Sequence, residues 1–202
     1  MGTCVLPSKY KIFEYWKDKA IADNFQVVTF DRAQATPAGT LPVVESLAFP
    51  ECWACGEPWF LGREESTLKR LWNHNTGHLH HAHIIARQFG GTDQPDNLFL
   101  LCPSCHIASP DTRYPEDFFC WVLYNRKHFT YMDRYRKLLN TTAEMVGISA
   151  ERIAAAMSML PLNEICSLRQ RSIGEMGMHG SQIVDSTMGF TMIRMLREKG
   201  LL

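Results

Sequence analysis

Two pairs of cysteines carry the clearest chemistry in this chain of 202 residues. The first pair is Cys52 and Cys55, and the second is Cys102 and Cys105, each with two residues between its members. Each pair can form a tight knuckle that presents two thiolates to one ion, and two knuckles complete a closed tetrahedral zinc site. Because a closed site leaves no position open for a substrate, the spacing predicts one structural Zn²⁺ that joins both ends of the intervening segment.

The segment between and just after the knuckles holds a second constellation. Residues 79–106 have the sequence LHHAHIIARQFGGTDQPDNLFLLCPSCH. In this segment His83 precedes a Gly-Gly pair, Asn97 is followed by Leu98, and His106 directly follows the last zinc cysteine. This order and spacing resemble the HNH (ββα-metal) endonuclease family, which has a strand ending in His, a Gly-Gly loop, Asn-Leu at the second strand and Cys-x-x-Cys-His.

The resemblance implies roles for three residues. The residue matching His83 is the general base, and a neutral imidazole near pH 7 suits removal of a proton from water. The residue matching Asn97 holds the loop or binds the catalytic metal, and the residue matching His106 is a metal ligand. The catalytic ion is a divalent metal (Mg²⁺, Mn²⁺, Ni²⁺ or Zn²⁺) that acts on the scissile phosphate as a Lewis acid.

The chain departs from the family pattern at two positions. Ala82 stands where Asp or His commonly binds the metal, and Pro110 stands where a second His commonly follows. An Ala before the catalytic His resembles the branch of McrA-like restriction enzymes that act on modified DNA. His81, which shares a strand face with His83, or Asp111 is a candidate for the missing ligand. Otherwise we expect His80 and His81 to be surface side chains or phosphate contacts.

Several basic residues are candidate DNA contacts. Arg87 follows His83 in the loop, and its sequence position fits either a phosphate contact or a solvated side chain. Residues 124–137 (YNRKHFTYMDRYRK) alternate cations with aromatic rings, a mixture that suits phosphate binding and base stacking. The alternative is an amphipathic helix whose aromatics are core and whose charges are solvated. The cations of this stretch are Arg126, Lys127, Arg134, Arg136 and Lys137.

Composition and hydropathy limit the type of nuclease and the cellular location that we expect. The chain has 21 basic and 21 acidic residues, and this zero net charge weighs against indiscriminate DNA degradation and favours a site-specific nuclease. No apolar run approaches the length of a membrane span, and the first eleven residues lack a secretory signal, so we expect a cytoplasmic protein without a membrane partner.

Hydrophobic periodicity predicts short elements before the helical C-terminal part. Residues 31–42 are turn-rich and predicted to be a loop. Residues 142–156 have the spacing of a helix-turn-helix, but the alanines of the second helix favour a plain helical hairpin over a DNA-reading motif. Strands are expected at 26–30, 43–47, 78–86 and 98–101. Helices are expected at 8–24, at 63–75, near the second cysteine pair, from Pro115, and through 131–202 with breaks near Pro161, 174–180 and Gly189.

These patterns predict an α+β protein with a ββα-metal core stapled by a Cys4 zinc site and a mostly helical C-terminal extension. The expected division is an N-terminal part (1–50), the nuclease core (51–125) and an extension for DNA contacts or dimerisation (126–202). The predicted function is metal-dependent cleavage of double-stranded DNA, restriction-type or phage-encoded, by a homodimer that cuts both strands. Two alternatives remain: a cleavage-inactive zinc-stabilised DNA-binding or regulatory module, and a nicking or RNA-directed nuclease within a larger complex.

Overall fold

A computed structural model describes residues 6–58, 67–74, 79–161, 164–165 and 185–202 of the chain. The described residues form a mixed α+β structure, and the chain divides into two compact units, Met1–Tyr131 and Met132–Leu202. The elements of the first unit are α1 (Lys9–Trp16), β1 (Lys19–Ala22), β2 (Val27–Thr29), β3 (Thr40–Pro42), α2 (Leu68–His74), β4 (His80–His83), β5 (Leu98–Leu101), α3 (Pro103–Ala108) and α4 (Pro115–His128).

The N-terminal helix is shorter than its sequence pattern suggests. Ser8 caps α1 by accepting a hydrogen bond from the Lys11 N–H, and the helix ends at Trp16. The prediction of a helix to residue 24 is wrong, because β1 lies between β2 and β3 in a three-stranded antiparallel sheet. Pairing on both edges buries Ala20 and Ile21, so tertiary hydrogen bonding overrides their helical spacing.

The same sheet corrects the predictions for the following segment. The strand predicted at 26–30 is confirmed as β2, although it is shorter. Strand β3 ends at Pro42, so it lies in the predicted loop 31–42 and comes before the strand expected at 43–47. The reason is long-range: β3 pairs with β1 through Leu41 and Ile21, a partner that local composition does not reveal.

An antiparallel hairpin followed by a helix forms the centre of the first unit. Strands β4 and β5 pair in a register that places His83 opposite Leu98 and His80 opposite Leu101. Strand β5 is buried along its whole length, and α3 starts two residues after it with Pro103 in its first turn. The arrangement is therefore the ββα unit that the sequence predicts, with β4 shorter than the predicted 78–86.

An aromatic core fixes this hairpin against its neighbours. The Phe99 ring of β5 meets the rings of Trp16, Trp53 and Phe118 edge to face, with centroids 5.0 to 5.4 Å apart. The Trp16 indole N–H also lies 2.9 Å from the Pro95 carbonyl and 2.8 Å from the Leu98 carbonyl. Helix α1 thus holds the chain segment that leads into β5.

Three helices are described in the second unit and at its start. They are α5 (Tyr131–Met145), α6 (Ala150–Ser158) and α7 (Asp185–Glu198). The helix break predicted at Gly189 is wrong, because α7 continues through it. A Cβ at Gly189 would lie 2.1 Å from the Thr142 hydroxyl, so this glycine permits close packing of α7 on α5. The break predicted at 174–180 lies outside the described residues.

None of the described helices is both long and apolar enough to cross a bilayer.

Candidate active site and metal centre

The four predicted zinc ligands come together in the structure. Their Sγ atoms all lie within 4.8 Å of one another, and all four cysteines are buried. The first knuckle is closed by a hydrogen bond from the Gly56 N–H to the Cys52 carbonyl, and Gly56 adopts φ 70°, a conformation that favours glycine. In the second knuckle Cys102 precedes α3, and its carbonyl accepts the N–H of His106.

The chemistry of this cluster fits a structural zinc ion. Four mutually close sulfur atoms in a buried site form the ligand set that closed Zn²⁺ sites use. The hydrogen bond from the Cys105 thiol lowers the pKa of Cys102, whereas the same contact raises the pKa of Cys105, as expected when close sulfur atoms share protons. The backbone N–H of Trp53 donates to the Leu100 carbonyl, and this hydrogen bond connects the first knuckle directly to β5. An ion bound here would therefore brace the hairpin.

His83, at the end of β4, lies against a carboxylate. Its Nε2 is 2.8 Å from the Asp93 Oδ1, and both side chains are largely buried. The Arg87 Nε donates to the same Asp93 oxygen at 2.8 Å, and Arg87 is itself 57% exposed. If Nε2 carries the proton and donates to Asp93, then Nδ1 is left as the basic nitrogen of the imidazole.

Asn97 holds the loop between the two strands. Its Oδ1 accepts the Ile85 N–H at 2.8 Å, and its Nδ2 donates to the carbonyls of Ile85 and Thr92. Gly91 also belongs to this loop, since a Cβ there would lie 1.7 Å from the Ile85 carbonyl oxygen. Of the two roles that the resemblance implies for Asn97, this geometry matches the loop-holding one, because backbone groups occupy the amide.

His106 contacts a histidine that sequence reasoning did not select. The Nδ1 atoms of His106 and His80 are 3.1 Å apart, and the two rings meet edge to face. Burial lowers the pKa of both imidazoles, while Asp111 acts to raise the pKa of His106. Burial therefore favours the neutral form of each imidazole, in which one ring nitrogen keeps its lone pair. The expectation of His80 as a surface or phosphate-contacting side chain does not describe this position.

His81 lies on the other face of β4. Successive side chains of a strand alternate, so His81 points away from the face that His80 shares with Ala82. Its Nε2 is buried and has no hydrogen-bond partner among the residues that the structure describes. Burial lowers the pKa of His81, and Lys9 and the Pro7 backbone lie beside it. This placement does not bring His81 to His106, so its predicted part in the metal shell has no geometric support.

The two departures from the family pattern have clear positions. Ala82 is 1% exposed and packs in the core, so it contributes no polar group. Pro110 follows the end of α3 and is half-buried, and Asp111 beside it is exposed. Asp111 is close enough to affect the pKa of His106, so it stays a candidate for the metal shell.

The predicted DNA contacts differ in their surroundings. Arg126 is a structural residue: its side chain is 6% exposed and donates to Glu45 and to the carbonyls of Val43 and Trp53. This placement removes Arg126 from the DNA contacts. The others are at least partly accessible: Arg87, Lys127, Arg136 and Lys137 are exposed and Arg134 is half-buried. Arg134, Arg136 and Lys137 belong to the second unit.

Sequence reasoning missed two residues of the site, Asp93 and His80. Asp93 lies in a loop two residues after the Gly-Gly pair, where no strand or helix pattern predicts the direction of a side chain. His80 is one of four histidines within residues 78–83, and alternation alone cannot say which of them faces α3. A carboxylate in the loop after a candidate general base was the available signal for Asp93.

Comparison with known proteins agrees with this geometry. A scan against protein-family models matches residues 70–110 to the family described as HNH endonuclease. These residues include β4, β5 and α3, with His83, Asn97 and His106. A search of curated proteins and a search of solved structures each found no significant match.

Proposed function

We propose that this chain, which carries an HNH endonuclease segment at residues 70–110, is a metal-dependent enzyme that hydrolyses phosphodiester bonds of double-stranded DNA. The observation that carries the proposal is the pairing of His83 with Asp93 in a segment that also presents His106 from α3. Phosphodiester hydrolysis needs a base for water and a site for a divalent ion, and these residues supply groups suited to both needs.

The general base in this proposal is His83. Two groups lie near its Nε2: the Asp93 Oδ1 at 2.8 Å and the Arg87 Nε–H at 3.3 Å. We assign the Nε2–H tautomer, because the carboxylate only accepts hydrogen bonds and the Arg87 N–H has Asp93 as its shorter partner, at 2.8 Å. Nδ1 then takes a proton from the attacking water, and Asp93 stabilises the imidazolium that forms, as an orienting carboxylate does in other histidine-based catalysis. Arg87 is more than half exposed beside this pair, and we assign it to a DNA phosphate.

The metal in this proposal is bound at His106. A divalent ion there supplies Lewis-acid stabilisation of charge on the phosphate and the leaving oxygen. Asn97 contributes by holding the loop that carries Asp93 through its hydrogen bond to the Thr92 carbonyl. The cysteine cluster contributes rigidity, since Cys105 precedes His106 in the same helix.

Cleavage of supercoiled plasmid tests the proposal. Purified protein is incubated with plasmid and Mg²⁺, Mn²⁺ or Ni²⁺, with excess chelator and His83→Ala protein as matched controls. We expect nicked and linear products only with wild-type protein and metal, carrying 5′ phosphate and 3′ hydroxyl ends. Sequencing of the ends distinguishes site-specific cleavage from general cleavage, and a product that stays nicked indicates single-strand activity.

A second candidate function rests on Ala82. With no metal ligand at this buried position, the domain is also suited to a cleavage-inactive module that binds DNA. The same assay separates the two, because such a module retains DNA in a mobility shift and cuts none with any of the three metals. The restriction-type role, the homodimer, the cytoplasmic location and the division at residues 50 and 125 belong to the proposal as expectations.

A further inference from the structure

The contact between His80 and His106 brings together two imidazoles from different elements. His80 begins β4 and His106 lies in α3, so the hairpin and the helix each supply one nitrogen. Their Nδ1 atoms are 3.1 Å apart, and the ring planes cross at 86°. The hydrolytic mechanism described above uses His106 but assigns nothing to His80.

The separation of the two nitrogens suits a shared ion. Nitrogens that bind one divalent ion at about 2.0–2.1 Å lie about 2.8–3.4 Å apart when the angle at the ion is about 90–110°. A direct hydrogen bond between neutral imidazoles has a similar length, so the surrounding residues decide between the two interpretations. A hydrogen bond alone would use one nitrogen as donor, whereas an ion uses both lone pairs.

The position of His80 on its strand favours the ion. His80 and Ala82 are two residues apart in β4, so their side chains project from the same face. Ala82 is buried and has no donor atom, although the HNH pattern commonly has a metal ligand there. The longer imidazole of His80 reaches His106 from one position further along this face.

We propose that His80 and His106 together bind the divalent ion, and that His80 replaces the ligand that Ala82 lacks. The description of this ion as catalytic rests on the proposed nuclease function, but the ion site itself does not. Two imidazole nitrogens favour Ni²⁺, Co²⁺ or Zn²⁺ over Mg²⁺, which prefers oxygen ligands. The expected order of affinity is therefore Ni²⁺ well above Mg²⁺.

Calorimetric titration of the full chain with Ni²⁺ tests this inference. The protein carries its structural zinc, and zinc content is measured again afterwards to show that Ni²⁺ has not displaced it. We expect one Ni²⁺ site, with affinity at least about tenfold lower in His80→Ala and in His106→Ala, since even outer residues of metal sites change affinity by that factor. The matched control is His81→Ala, on the opposite face, which should bind Ni²⁺ like the wild type.

A second readout identifies the nitrogens. Paramagnetic Ni²⁺ should broaden the imidazole NMR signals of His80 and His106 at the lowest metal concentration and leave those of distant histidines sharp. The double variant should lose more affinity than either single variant but less than the product of the two single losses, because both side chains bind one ion. If His80→Ala leaves both the Ni²⁺ affinity and the broadening of His106 unchanged, the inference is overturned.

Folding is controlled with His80→Gln. Glutamine keeps a hydrogen bond to His106 within reach but binds Ni²⁺ poorly, so a folded, zinc-loaded variant with lost Ni²⁺ affinity supports the ion site. The same variant with retained affinity contradicts it. Ni²⁺ binding at this pair in a protein that cuts no DNA would leave the inference standing and overturn the nuclease proposal. DNA cleavage together with a Ni²⁺ affinity that His80→Ala leaves unchanged would support the nuclease proposal and overturn the inference.

Discussion

At the scale of single residues, the proposed chemistry divides between His83 and His106. His83 interacts with Asp93, whereas His106 contacts His80, so the first is placed for proton transfer and the second for binding an ion. Substitution of each should therefore produce a different kind of defect.

We predict that His83→Ala loses DNA cleavage by about 10²–10⁴-fold or more while DNA binding and zinc content stay near wild type. Only removal of the proton from water should fail. His106→Ala should instead raise the metal concentration needed for cleavage, because a ligand is lost. Cleavage rates measured across a metal titration, with DNA binding by mobility shift, check both. Equal rescue of the two variants by excess metal would mean that the roles of base and ligand are exchanged.

Asp93 gives the second prediction at this scale. Asp93→Asn keeps the size of the side chain but loses the charge that orients the imidazole of His83. The cleavage rate should fall about 10–100-fold, as for other residues that orient a functional histidine, with KM for DNA unchanged. Steady-state kinetics separate the two parameters. Asp93→Glu, which restores the carboxylate, serves as the control and should recover part of the rate; a change confined to KM would contradict a positioning role.

At the scale of elements, α4 stabilises the first knuckle through hydrogen bonds. Arg126 of α4 donates to the Trp53 carbonyl beside Cys52 and to the Val43 carbonyl after β3, and Tyr131 donates its N–H to the Cys55 carbonyl. Its neighbour Lys127 forms an exposed pair with Asp23 at 3.3 Å. Two adjacent cations of one helix therefore have opposite surroundings.

This contrast predicts very different effects on stability. Arg126→Ala removes a cation that contacts two backbone carbonyls and the buried Glu51, so we expect a loss of about 3 kcal/mol in the free energy of unfolding. Lys127→Ala should cost less than about 1 kcal/mol, since exposed pairs contribute little. Urea unfolding of the two variants measures the difference. Similar values for both would show that the buried contacts of Arg126 contribute little to stability.

At the scale of the whole molecule, the cysteine cluster connects segments that are far apart in sequence. Cys52 and Cys55 precede α2, whereas Cys102 and Cys105 flank the start of α3. All four sulfurs are within 4.8 Å, so an ion here ties the first knuckle to the ββα unit. Stability of the first unit should therefore depend on metal.

We predict about one tightly bound zinc per purified chain, measured by elemental analysis. Removal of this zinc by a strong chelator should lower the melting temperature and release the thiols to a colorimetric reagent, because binding free energy of a structural ion is folding free energy. Cys55→Ser should act in the same direction. A folded, zinc-free protein with four reactive thiols and an unchanged melting temperature would exclude a structural ion.

The methionines of the C-terminal helix also belong to this scale. The helical spacing of Met188, Met192 and Met195 in α7 suits either a core or a dimer surface, and all three residues are at most 4% exposed. Met195 and Leu196 pack with Met157 and Leu160. This face is therefore core, and a homodimer would have to use other surfaces.

The sequence by itself determined the features that depend on local spacing and on side-chain chemistry. Each Cys-x-x-Cys pair predicts a knuckle because its two cysteines are close in the chain. The order of His83, a Gly-Gly loop, Asn-Leu and His106 resembles the HNH family, and this resemblance implies the ββα unit. The Gly-Gly pair is part of the same sequence pattern. The structure shows why glycine is needed at position 91, because a Cβ there would collide with the Ile85 carbonyl.

Only the tertiary structure decided which side chains meet across elements. Alternation in β4 says that His80 and His81 face opposite sides, but the packing of α3 on the hairpin decides that His80 reaches His106. Burial of Arg126 depends in the same way on the Val43 and Trp53 carbonyls, which are far away in sequence and accept hydrogen bonds from its guanidinium. The strand at Lys19–Ala22 replaced a predicted helix for this reason too, because backbone pairing with two distant strands outweighs local propensity.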